Sequence, residues 1–521
     1  MAGTESDILQ NRVFAFMRDP KSYSNNLETV EEHETHGAIV FLAGNIAYKI
    51  KKAVKFPYMD FSTLEKRHQF CEREMAINQP AAPEIYLGLT AITQEADGSL
   101  AFDGNGPEVE WTVKMQRFDQ KLMLDQLPHA LVTDKTLIDQ LAKAVLDYHQ
   151  AAPCNNVSDG PGRVQILIDE LKDSYKGASD IFPAEKVAQF EKLAEEHLAR
   201  AYYCLRLRGR RGFVRRCHGD LHLRNIVLME KKPVLFDALE FDEELATIDV
   251  LYDLAFLLMD LDQRHMSQAA NQLLNRYLYL SGDLENIYGL KAMPLFLAIR
   301  AGIRAMVAND HAQQLTGREQ KTEFASAQQY FSTALQYLTA KTPMLITIGG
   351  FSGTGKTTLA ARLASTPEHA PGYLHFRSDL ERKTLFNIAE TKRLDQSGYT
   401  REVTEKVYAK LQHKARIALK AGQQVIVDAV FSKKEERTAF EQLAAELDVP
   451  FIGIWLEADE SVISARVAAR KNDASDATPA VVHQQIARGA SGLDWHRIDA
   501  SGTELDSLRQ ALQISDFSDI D

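Results

Sequence analysis

The stretch GGFSGTGKTT at residues 349–358 follows the apolar run MLITI and precedes the helix-forming run LAARLA. It satisfies the pattern GxxxxGK[ST], in which backbone N–H groups and the start of a helix form a cradle for anions. A strand before such a loop and a helix after it are the context that gives the pattern its meaning, because the helix N-terminus then faces the bound phosphate. The stretch therefore predicts a phosphate-binding loop on an α/β fold.

The residues of this loop are expected to have separate tasks. Lys356 would reach the β- and γ-phosphates of a nucleotide, and Thr357 would offer its hydroxyl to Mg²⁺. The backbone from Gly353 onwards would cradle the phosphate chain. The predicted nucleotide-binding residues are Gly350, Ser352, Gly353, Thr354, Gly355, Lys356, Thr357 and Thr358.

Downstream of this loop, short apolar runs alternate with helical patterns. The runs YLHFRSD, QQVIVDAVF and PFIGIWLE read as strands, and residues 400–421, 433–447 and 459–470 read as helices. Such alternation is typical of a parallel sheet with crossover helices. The composition changes at Thr342–Pro343, so we expect residues 341–521 to form a P-loop kinase or ATPase domain of the α/β class.

Four further residues of this region are candidates for chemistry. Asp379 follows a predicted strand, where ligands bind in open α/β sheets, and could orient or deprotonate an acceptor hydroxyl. Asp428 ends another strand and could hold Mg²⁺ through water. Arg466 and Arg470 are four residues apart on one predicted helix face. We expect them to close on the transferring phosphoryl group as lid arginines.

A second motif, HGDLHLRN, occupies residues 218–225 ahead of two short apolar runs. Phosphoryl transfer needs a carboxylate aimed at the acceptor hydroxyl, metal-held phosphates and a cation on the phosphate chain. In this motif Asp220 is the candidate general base and Asn225, five residues later, a candidate Mg²⁺ ligand. Asp237, in the following FDA, is the candidate second metal ligand.

The cation for this second site is expected upstream. Residues 38–50 read as a hairpin turning at Gly44–Asn45, and Lys49 lies on its second strand. Residues 62–78 begin with a Ser/Thr cap and continue with helical periodicity. We expect Glu74 on this helix to pair with Lys49, with Glu72 as the alternative, because the two point in different directions on a helix.

The order of these features resembles the aminoglycoside phosphotransferase branch of the protein-kinase-like fold. The resemblance covers roughly residues 30–335 and implies an α+β domain over 1–340, with an N-lobe at about 30–118 and a C-lobe at about 119–338. It also implies ATP bound between the lobes, with Lys49 on the phosphates, Asn225 and Asp237 on Mg²⁺, and a hinge near Met115 against adenine. The expected fold class is therefore multidomain, α+β followed by α/β.

Residues 343–515 resemble the small P-loop kinases, such as gluconate kinase, shikimate kinase, the zeta-toxin group and polynucleotide kinase. This resemblance implies phosphorylation of a small hydroxyl compound, with Asp379 in the position of the base. Together the two parts look like bacterial proteins described as bifunctional aminoglycoside phosphotransferase/ATP-binding proteins. ATP and Mg²⁺ are the expected cofactors, and a small hydroxyl acceptor is the expected partner.

The composition narrows the range of function classes. The net charge is −12, with 45% hydrophobic and 25% charged residues, which disfavours a generally basic nucleic-acid binder. The 4 Cys residues lie far apart, without the spacing of a zinc site or a disulfide framework. We find neither a signal-peptide pattern nor an apolar run long enough to cross a bilayer. We therefore expect a cytoplasmic protein without membrane contact.

Three hypotheses about function stay open at this point. The first is a kinase with two active modules, and the second is one catalytic module beside a nucleotide-binding regulatory domain. The third is a polynucleotide 5′-hydroxyl kinase, in which the six Arg residues around 206–216 would grip the nucleic-acid backbone. The alternative interpretation of this Arg run is a solvated helix C-terminus, where positively charged side chains interact favourably with the negative end of the helix dipole.

Overall fold

The computed structural model describes residues 5–23, 27–56, 59–155, 159–339, 341–367, 370–469 and 474–514. The chain divides into two compact units, Met1–Gly160 with Gly209–Asp260, and Pro161–Arg208 with Leu261–Asp521. The second unit thus combines helical segments with the α/β part of the chain. The domain boundary near residue 340 falls inside this unit and stays a prediction.

The elements of secondary structure are as follows. The strands are β1 (Glu31–Glu34), β2 (Ala38–Ala43), β3 (Ile46–Lys51), β4 (Lys55–Phe56), β5 (Met59–Asp60), β6 (Tyr86–Gln94), β7 (Leu100–Phe102), β8 (Glu108–Gln116), β9 (Val214–Arg216), β10 (Ile226–Met229), β11 (Lys232–Leu235), β12 (Thr247–Asp249), β13 (Leu345–Gly350), β14 (Leu374–Arg377), β15 (Val425–Asp428), β16 (Phe451–Glu457) and β17 (His496–Asp499). The helices are α1 (Glu5–Arg18), α2 (Leu64–Asn78), α3 (Pro128–Thr133), α4 (Lys135–Ala151), α5 (Gly160–Lys176), α6 (Ala184–Arg210), α7 (Glu243–Ala246), α8 (Val250–Gln263), α9 (Ser267–Ser281), α10 (Leu284–Gly289), α11 (Met293–Ala312), α12 (Gly317–Leu338), α13 (Lys356–Ala364), α14 (Ser378–Leu385), α15 (Arg401–Lys420), α16 (Lys434–Leu447), α17 (Glu460–Ala469), α18 (Pro479–Arg488) and α19 (Glu504–Leu512).

The first unit contains a six-stranded antiparallel sheet in the order β1-β2-β3-β8-β6-β7. Its β2–β3 hairpin pairs Ala43 with Ile46, so Gly44 and Asn45 form the predicted two-residue turn. Gly44 has φ +61°, the left-handed conformation that such turns require. The hairpin carries Lys49 on β3, where side chains two residues apart share one face of the sheet.

Helix α2 packs on this sheet and has the predicted start. The side chain of Thr63 accepts a hydrogen bond from the Lys66 N–H at 3.3 Å, which satisfies one of the free donors of the first turn. Cys71 and Met75 on α2 pack with Val113 of the sheet in one apolar cluster. The helix therefore directs Glu74, which is buried, towards the sheet.

The remainder of the first unit carries the HGDLHLRN motif. The segment between β9 and β10 holds residues 217–225, and the two apolar runs that follow the motif form β10 and β11, an antiparallel hairpin with Ile226 opposite Leu235. The short pair β9 and β12 is also antiparallel. The motif thus lies between two pairs of strands, directly before the β10–β11 hairpin that Asp237 follows.

The second unit contains a parallel five-stranded sheet in the order β14-β15-β13-β16-β17. The phosphate-binding loop leaves the carboxyl end of the central strand β13 and enters helix α13, as predicted. Apolar side chains of β13, β15, β16, α13 and α19 form the core of this sheet. The combination of an antiparallel α+β region and a parallel α/β region confirms the expected fold class.

Strand β17 is not part of the sequence prediction. Its sequence, HRID, is mostly polar, and only Ile498 of its four residues is buried. An edge strand with one buried side chain gives no apolar run from which it could be predicted. Among the described residues, no helix combines the length and the hydropathy that a bilayer crossing requires.

Candidate active sites in the two units

A buried network of charges lies between strand β3 and helix α2 in the first unit. The Lys49 Nζ lies 2.9 Å from Glu74 Oε1, so the pairing expected from the sequence is present. The same Nζ lies 2.6 Å from Asp237 Oδ1. Lys49 thus bridges Glu74 of α2 and Asp237. Its positive charge lies beside the Asp237 carboxylate, the predicted Mg²⁺ ligand.

Lys51 and Glu240 extend this network, and both were missed by sequence reasoning. The Lys51 Nζ lies 2.7 Å from Glu74 Oε2 and 2.5 Å from Glu240 Oε1. The available signal was the spacing in AYKIKK, since Lys49 and Lys51 are two residues apart on a strand and face the same side. The Glu74 carboxylate therefore accepts hydrogen bonds from two lysines rather than one.

The network fixes the charge of its members. Although burial opposes it, the charges of Lys49 and Lys51 lower the pKa of Glu74 to about 2. Burial likewise works against the charge of Lys49, but Asp237, Glu74 and Glu240 raise its pKa well above the ordinary value. Glu74 therefore stays ionised at neutral pH and Lys49 keeps its positive charge.

Asp220 and Asn225 are in direct contact. The Asn225 Nδ2 donates to the Asp220 carbonyl oxygen at 2.9 Å and to its Oδ2 at 3.0 Å. The Asp220 side chain keeps 42% of its surface exposed, and the Nε2 of His222 lies 3.4 Å from its Oδ2. The candidate base is thus oriented by an amide while it stays accessible to a substrate.

The loop that carries Asp220 is held by buried polar groups. The backbone N–H groups of His218 and Gly219 donate to the two carboxylate oxygens of Asp253, at 3.1 and 2.9 Å. The His218 Nε2 lies 3.0 Å from the carbonyl oxygen of Phe236. His218 thus braces the loop and Asp253 anchors it, since both side chains are buried and engaged with backbone.

Asp237 has an unusual backbone conformation, with φ +59°. Its N–H donates to the hydroxyl of Tyr86 at 3.1 Å, and its side chain keeps 43% of its surface exposed. One residue earlier, the Phe236 N–H donates to the carbonyl oxygen of Asn225 at 3.0 Å, so the two predicted metal ligands lie at one end of the hairpin. Their amide and carboxylate oxygens are the donors that Mg²⁺ prefers.

Met115, the predicted contact for adenine, lies on β8 opposite Ala47 of β3 and Tyr86 of β6. Its side chain is half-buried against an apolar cluster that includes Val113 and Val227. This setting provides an apolar surface beside the charged network. The contact with adenine stays a prediction.

Several of the arginines around 206–216 serve the fold. In the second unit, Arg208 is fully buried and donates to the carbonyl oxygen of Glu285 at 2.7 Å. In the first unit, Arg215 donates to two backbone carbonyls at the end of α4, at 2.9 and 2.8 Å, and Arg216 donates to that of the next residue at 2.8 Å. These three guanidinium groups therefore help to hold the backbone of the fold, and the nucleic-acid hypothesis for the Arg run stays a prediction.

The phosphate-binding loop of the second unit depends on glycine at two points. Gly353 has φ +95°, and a Cβ there would lie 2.7 Å from methyl groups of both Ile463 and Val467. Gly355, at φ +99°, immediately precedes helix α13. The Ser352 N–H donates to Gln485 Oε1 at 2.8 Å, which ties the loop to helix α18.

The residues that follow the glycines lie close to the end of strand β15. The Thr357 hydroxyl donates to Asp428 Oδ2 at 2.5 Å, so the two predicted Mg²⁺ ligands of this unit are in contact. The Lys356 Nζ donates to the carbonyl oxygen of Phe351 at 2.9 Å within the loop. The hydroxyl oxygen of Thr357 and the carboxylate oxygens of Asp428 are suitable ligands for Mg²⁺. They lie near Lys356, the first residue of helix α13, whose N-terminus favours anions.

His375 was missed by sequence reasoning and lies beside this site. Its Nε2 is 3.5 Å from Asp428 Oδ2. Burial opposes ionisation of Asp428, but the hydrogen bond and charge of His375, with the charges of Lys356 and Arg377, lower its pKa to about 2. The signal in the sequence was weak, because a His within a strand gives no motif.

Asp379 lies in the first turn of α14, directly after β14. Burial, with the neighbouring carboxylate of Asp428, raises its pKa, whereas Arg377 and Lys356 oppose this rise. A carboxylate with a raised pKa beside a phosphate-binding loop suits a general base. The structure therefore brings Asp379 into the electrostatic neighbourhood of Lys356 and Asp428.

The expected position of Arg466 needs correction. Its Nη1 donates to the carbonyl oxygen of Ala500 at 2.8 Å and its Nη2 to that of Gly502 at 2.9 Å. The guanidinium is thus committed to the segment after β17 and is not brought to the phosphate-binding loop. Its predicted partner Arg470 lies outside the described residues.

Comparison with known proteins agrees with this division of motifs. Residues 109–290 match the model of the phosphotransferase enzyme family, and residues 345–490 match an AAA domain model. The first match includes Asp220, Asn225 and Asp237, and the second includes the phosphate-binding loop. The two matches support a phosphotransfer enzyme.

Curated relatives were found for the whole chain and for part of it. An uncharacterized protein of Mycobacterium tuberculosis (strain H37Rv) is 29% identical over 493 residues, which are 93% of this chain and 95% of that protein. A protein of Mycobacterium bovis gives the same figures. An adenylyl-sulfate kinase of Myxococcus xanthus is 29% identical over 123 residues, 23% of this chain and 62% of that enzyme.

Solved structures similar to this chain include three kinases. A gluconokinase from Sinorhizobium meliloti is 17% identical, with a TM-score of 0.26. The match covers 34% of this chain and 94% of the gluconokinase chain. A choline/ethanolamine kinase family protein from Mesorhizobium loti is 12% identical, with a TM-score of 0.39, and covers 63% and 99%. An aminoglycoside phosphotransferase from Alicyclobacillus acidocaldarius is 14% identical, with a TM-score of 0.36, and covers 61% and 93%.

The resemblances inferred from the motifs are thus confirmed by the two family models. The chain joins a segment that matches the phosphotransferase enzyme family model, at residues 109–290, to a P-loop segment that matches the AAA domain model, at residues 345–490.

Proposed function

We propose that the protein is an ATP-dependent phosphotransferase with two kinase modules, each transferring the γ-phosphate to a hydroxyl group of a small molecule. One observation carries this proposal: each unit independently gathers a cation, a candidate base and oxygen ligands for a metal. In the first unit these are Lys49, Asp220 and the Asn225–Asp237 pair. In the second they are Lys356, Asp379 and the Thr357–Asp428 pair. The two family matches support the same reaction class.

Both sites fit Mg²⁺ by the chemistry of their donors. The Asp237 carboxylate is exposed on one side and faces Lys49, while Thr357 and Asp428 are already in contact. Amide, carboxylate and hydroxyl oxygens are hard ligands, and neither set contains sulfur or imidazole nitrogen. When bound, Mg²⁺ would neutralise charge on the β- and γ-phosphates of ATP.

The protein groups have distinct tasks under this proposal. In the first unit, Asp220 accepts the proton of the acceptor hydroxyl, and Asn225 holds the Asp220 carboxylate in position. Lys49 binds the phosphate chain while Glu74 and Lys51 keep it oriented. In the second unit, Asp379 accepts the proton and Lys356 follows the transferring phosphoryl group.

The test is an ATP-consumption screen over sugars, other polyols, aminoglycosides, nucleosides and RNA 5′ ends. Wild type, Asp220→Ala and Lys356→Ala are run in parallel, with Asp97→Asn, at an exposed turn, as a control for an acidic substitution. We expect one set of acceptors to depend on Asp220 and a different set on Lys356, each variant losing at least about a hundredfold in turnover of its own set.

The same screen separates the competing hypotheses. Loss of all turnover in one variant, with full activity in the other, would support a single catalytic module beside a regulatory one. Turnover confined to RNA 5′ ends would favour end repair, although Arg208, Arg215 and Arg216 are committed to backbone contacts. ATP turnover that neither substitution changes with any acceptor would refute the proposal.

A further inference from the structure

A cavity of about 230 Å³ lies in the second unit, and none of its lining residues belongs to the phosphate-binding loop. Its walls come from helix α6, the start of α11, the end of α12, the segment before β14 and the segment that joins α15 to β15. Gly372, Gln423 and Gln424 precede their strands, so the cavity is at the amino edge of the parallel sheet. The phosphate-binding loop leaves the carboxyl edge, about 20 Å away along a six-residue strand.

The charges that line this cavity have one sign. Arg200, Lys291, Lys341 and Lys420 are among its lining residues, and the lining residues that the structure describes include no Asp or Glu. Four cations around a small concave surface attract anions, and low-dielectric walls strengthen the effect. The arrangement differs from the surface of the protein as a whole, whose net charge is −12.

The acidic groups behind the lining balance only part of this charge. Asp262 accepts from the Tyr337 hydroxyl at 2.6 Å and from the Ala370 N–H at 3.1 Å, and it acts electrostatically on Lys341. The exposed Glu196 lies 3.3 Å from Arg200. Among the described residues, no ion pair within 4 Å balances Lys291 or Lys420. The cavity is therefore left with a net positive charge.

The walls are fixed by hydrogen bonds that do not use these cations. The Asn271 Nδ2 donates to the carbonyl oxygens of Pro371 and Tyr373 at 2.7 and 2.9 Å. The Gln423 Nε2 donates to Leu290 O at 3.1 Å. A site whose walls are held in this way loses little entropy when a ligand binds, which is a property of built ligand sites.

We infer that this cavity is a second anion site, which binds a small polyanion of the phosphate type through Lys291, Lys420, Arg200 and Lys341. The apolar side chains of Pro294 and Leu297 line the same space and suit the carbon skeleton of an organic phosphate. A ligand there contacts α11, α12 and the amino edge of the sheet at once. It therefore stabilises the packing of these helices against the P-loop sheet by linkage.

The test is isothermal titration of inorganic pyrophosphate in metal-free buffer at constant ionic strength. All proteins are the full chain carrying Lys356→Ala, which weakens binding at the phosphate-binding loop. We expect a pyrophosphate site that weakens at least about tenfold in Lys291→Met/Lys420→Met, the factor that one charge-assisted hydrogen bond supplies, whereas pyrophosphate bound at Lys49 is unaffected by these substitutions. The matched control is Lys321→Met/Lys406→Met, which removes two exposed lysines from α12 and α15 outside the cavity.

A second measurement guards against a folding defect. Hydrogen–deuterium exchange should show slower exchange in peptides covering 336–339 and 420–424 when pyrophosphate is added, and Arg200→Gln should reduce this protection. Unchanged pyrophosphate affinity in the Lys291→Met/Lys420→Met chain, or the same loss of affinity in the control, would overturn the inference. So would the absence of any pyrophosphate binding in the Lys356→Ala chain at millimolar concentration.

Discussion

Lys51 and Lys52 are neighbours in the chain with very different surroundings. The Lys51 side chain is 1% exposed and lies between two carboxylates, whereas that of Lys52 is 23% exposed and pairs with Glu34 on the surface. A buried charge that loses its partner is costly, while a surface ion pair contributes little because water and salt screen it. The two residues therefore allow a matched test of the buried network.

We expect Lys51→Met to lower the free energy of unfolding of the region around β3 by about 3–5 kcal/mol, because Glu74 and Glu240 would lose a buried partner. Lys52→Met should cost about 0–1 kcal/mol. Hydrogen–deuterium exchange of peptides covering β2, β3 and α2 measures both. Equal protection in the two variants would mean that the buried network contributes no more than a surface pair.

Glu74 gives the network a predictable pH dependence. Its pKa in the folded protein is about 2, below its ordinary value of 4.5. The unfolded state therefore binds the proton more readily, and the stability that Glu74 contributes is present above pH 4.5 and lost as the pH falls towards 2. We expect the difference in urea midpoint between wild type and Glu74→Gln to be largest at pH 7 and to shrink below pH 4.5. A difference that grows on acidification would contradict this assignment.

At the scale of elements, the turn from β13 into α13 is fixed by its contact with α17. Gly353→Ala and Gly355→Ala both force a non-glycine residue to positive φ, at about 1–2 kcal/mol. Only the Cβ at 353 would also collide with Ile463 and Val467, since a Cβ at 355 would point into open space among the described residues.

We therefore expect Gly353→Ala to lose about 1–3 kcal/mol more stability than Gly355→Ala, because it adds overpacking to backbone strain. Thermal unfolding of the second unit and titration with Mg·ATP measure the two effects. If both substitutions cost the same, the contact with α17 does not constrain the loop.

The elements that could be predicted from the sequence are those with local signals. Gly44–Asn45 specifies a hairpin by turn chemistry alone, and the glycine-rich loop is specified by its spacing between a strand and a helix. Lys49 and Glu74 could be paired because strand and helix periodicities limit the choices. Lys51 and Glu240 could not, because they lie 189 positions apart along the chain and only the tertiary fold brings them together. The place of Arg466 depends on β17, which has no apolar signal of its own.

At the scale of the molecule, the P-loop sheet depends on helices that precede residue 340. Asn271 holds the carbonyls of Pro371 and Tyr373, and the Asn275 Oδ1 accepts from the His375 N–H at 2.7 Å. Arg276 forms a two-bond ion pair with Glu390, each bond 2.7 Å. A boundary placed near 340 would cut through these contacts.

We predict that a fragment of residues 342–521 has a lower thermal midpoint than a fragment of residues 261–521, by several degrees, because it loses the contacts of α9. The full chain provides the reference. Both fragments are followed by circular dichroism and by the fluorescence of Trp455 and Trp495. Identical midpoints would show that the helices before 340 add no stability to the sheet.

The backbone of Asp237 has a practical consequence for dissecting the first unit. At φ +59°, an asparagine side chain is tolerated, whereas alanine would strain the main chain. Replacing the acid by its amide therefore erases one negative charge while the path of the polypeptide is preserved. Truncation to a methyl group would mix that charge effect with a distorted hairpin, so a kinetic defect could be assigned to electrostatics only in the amide variant.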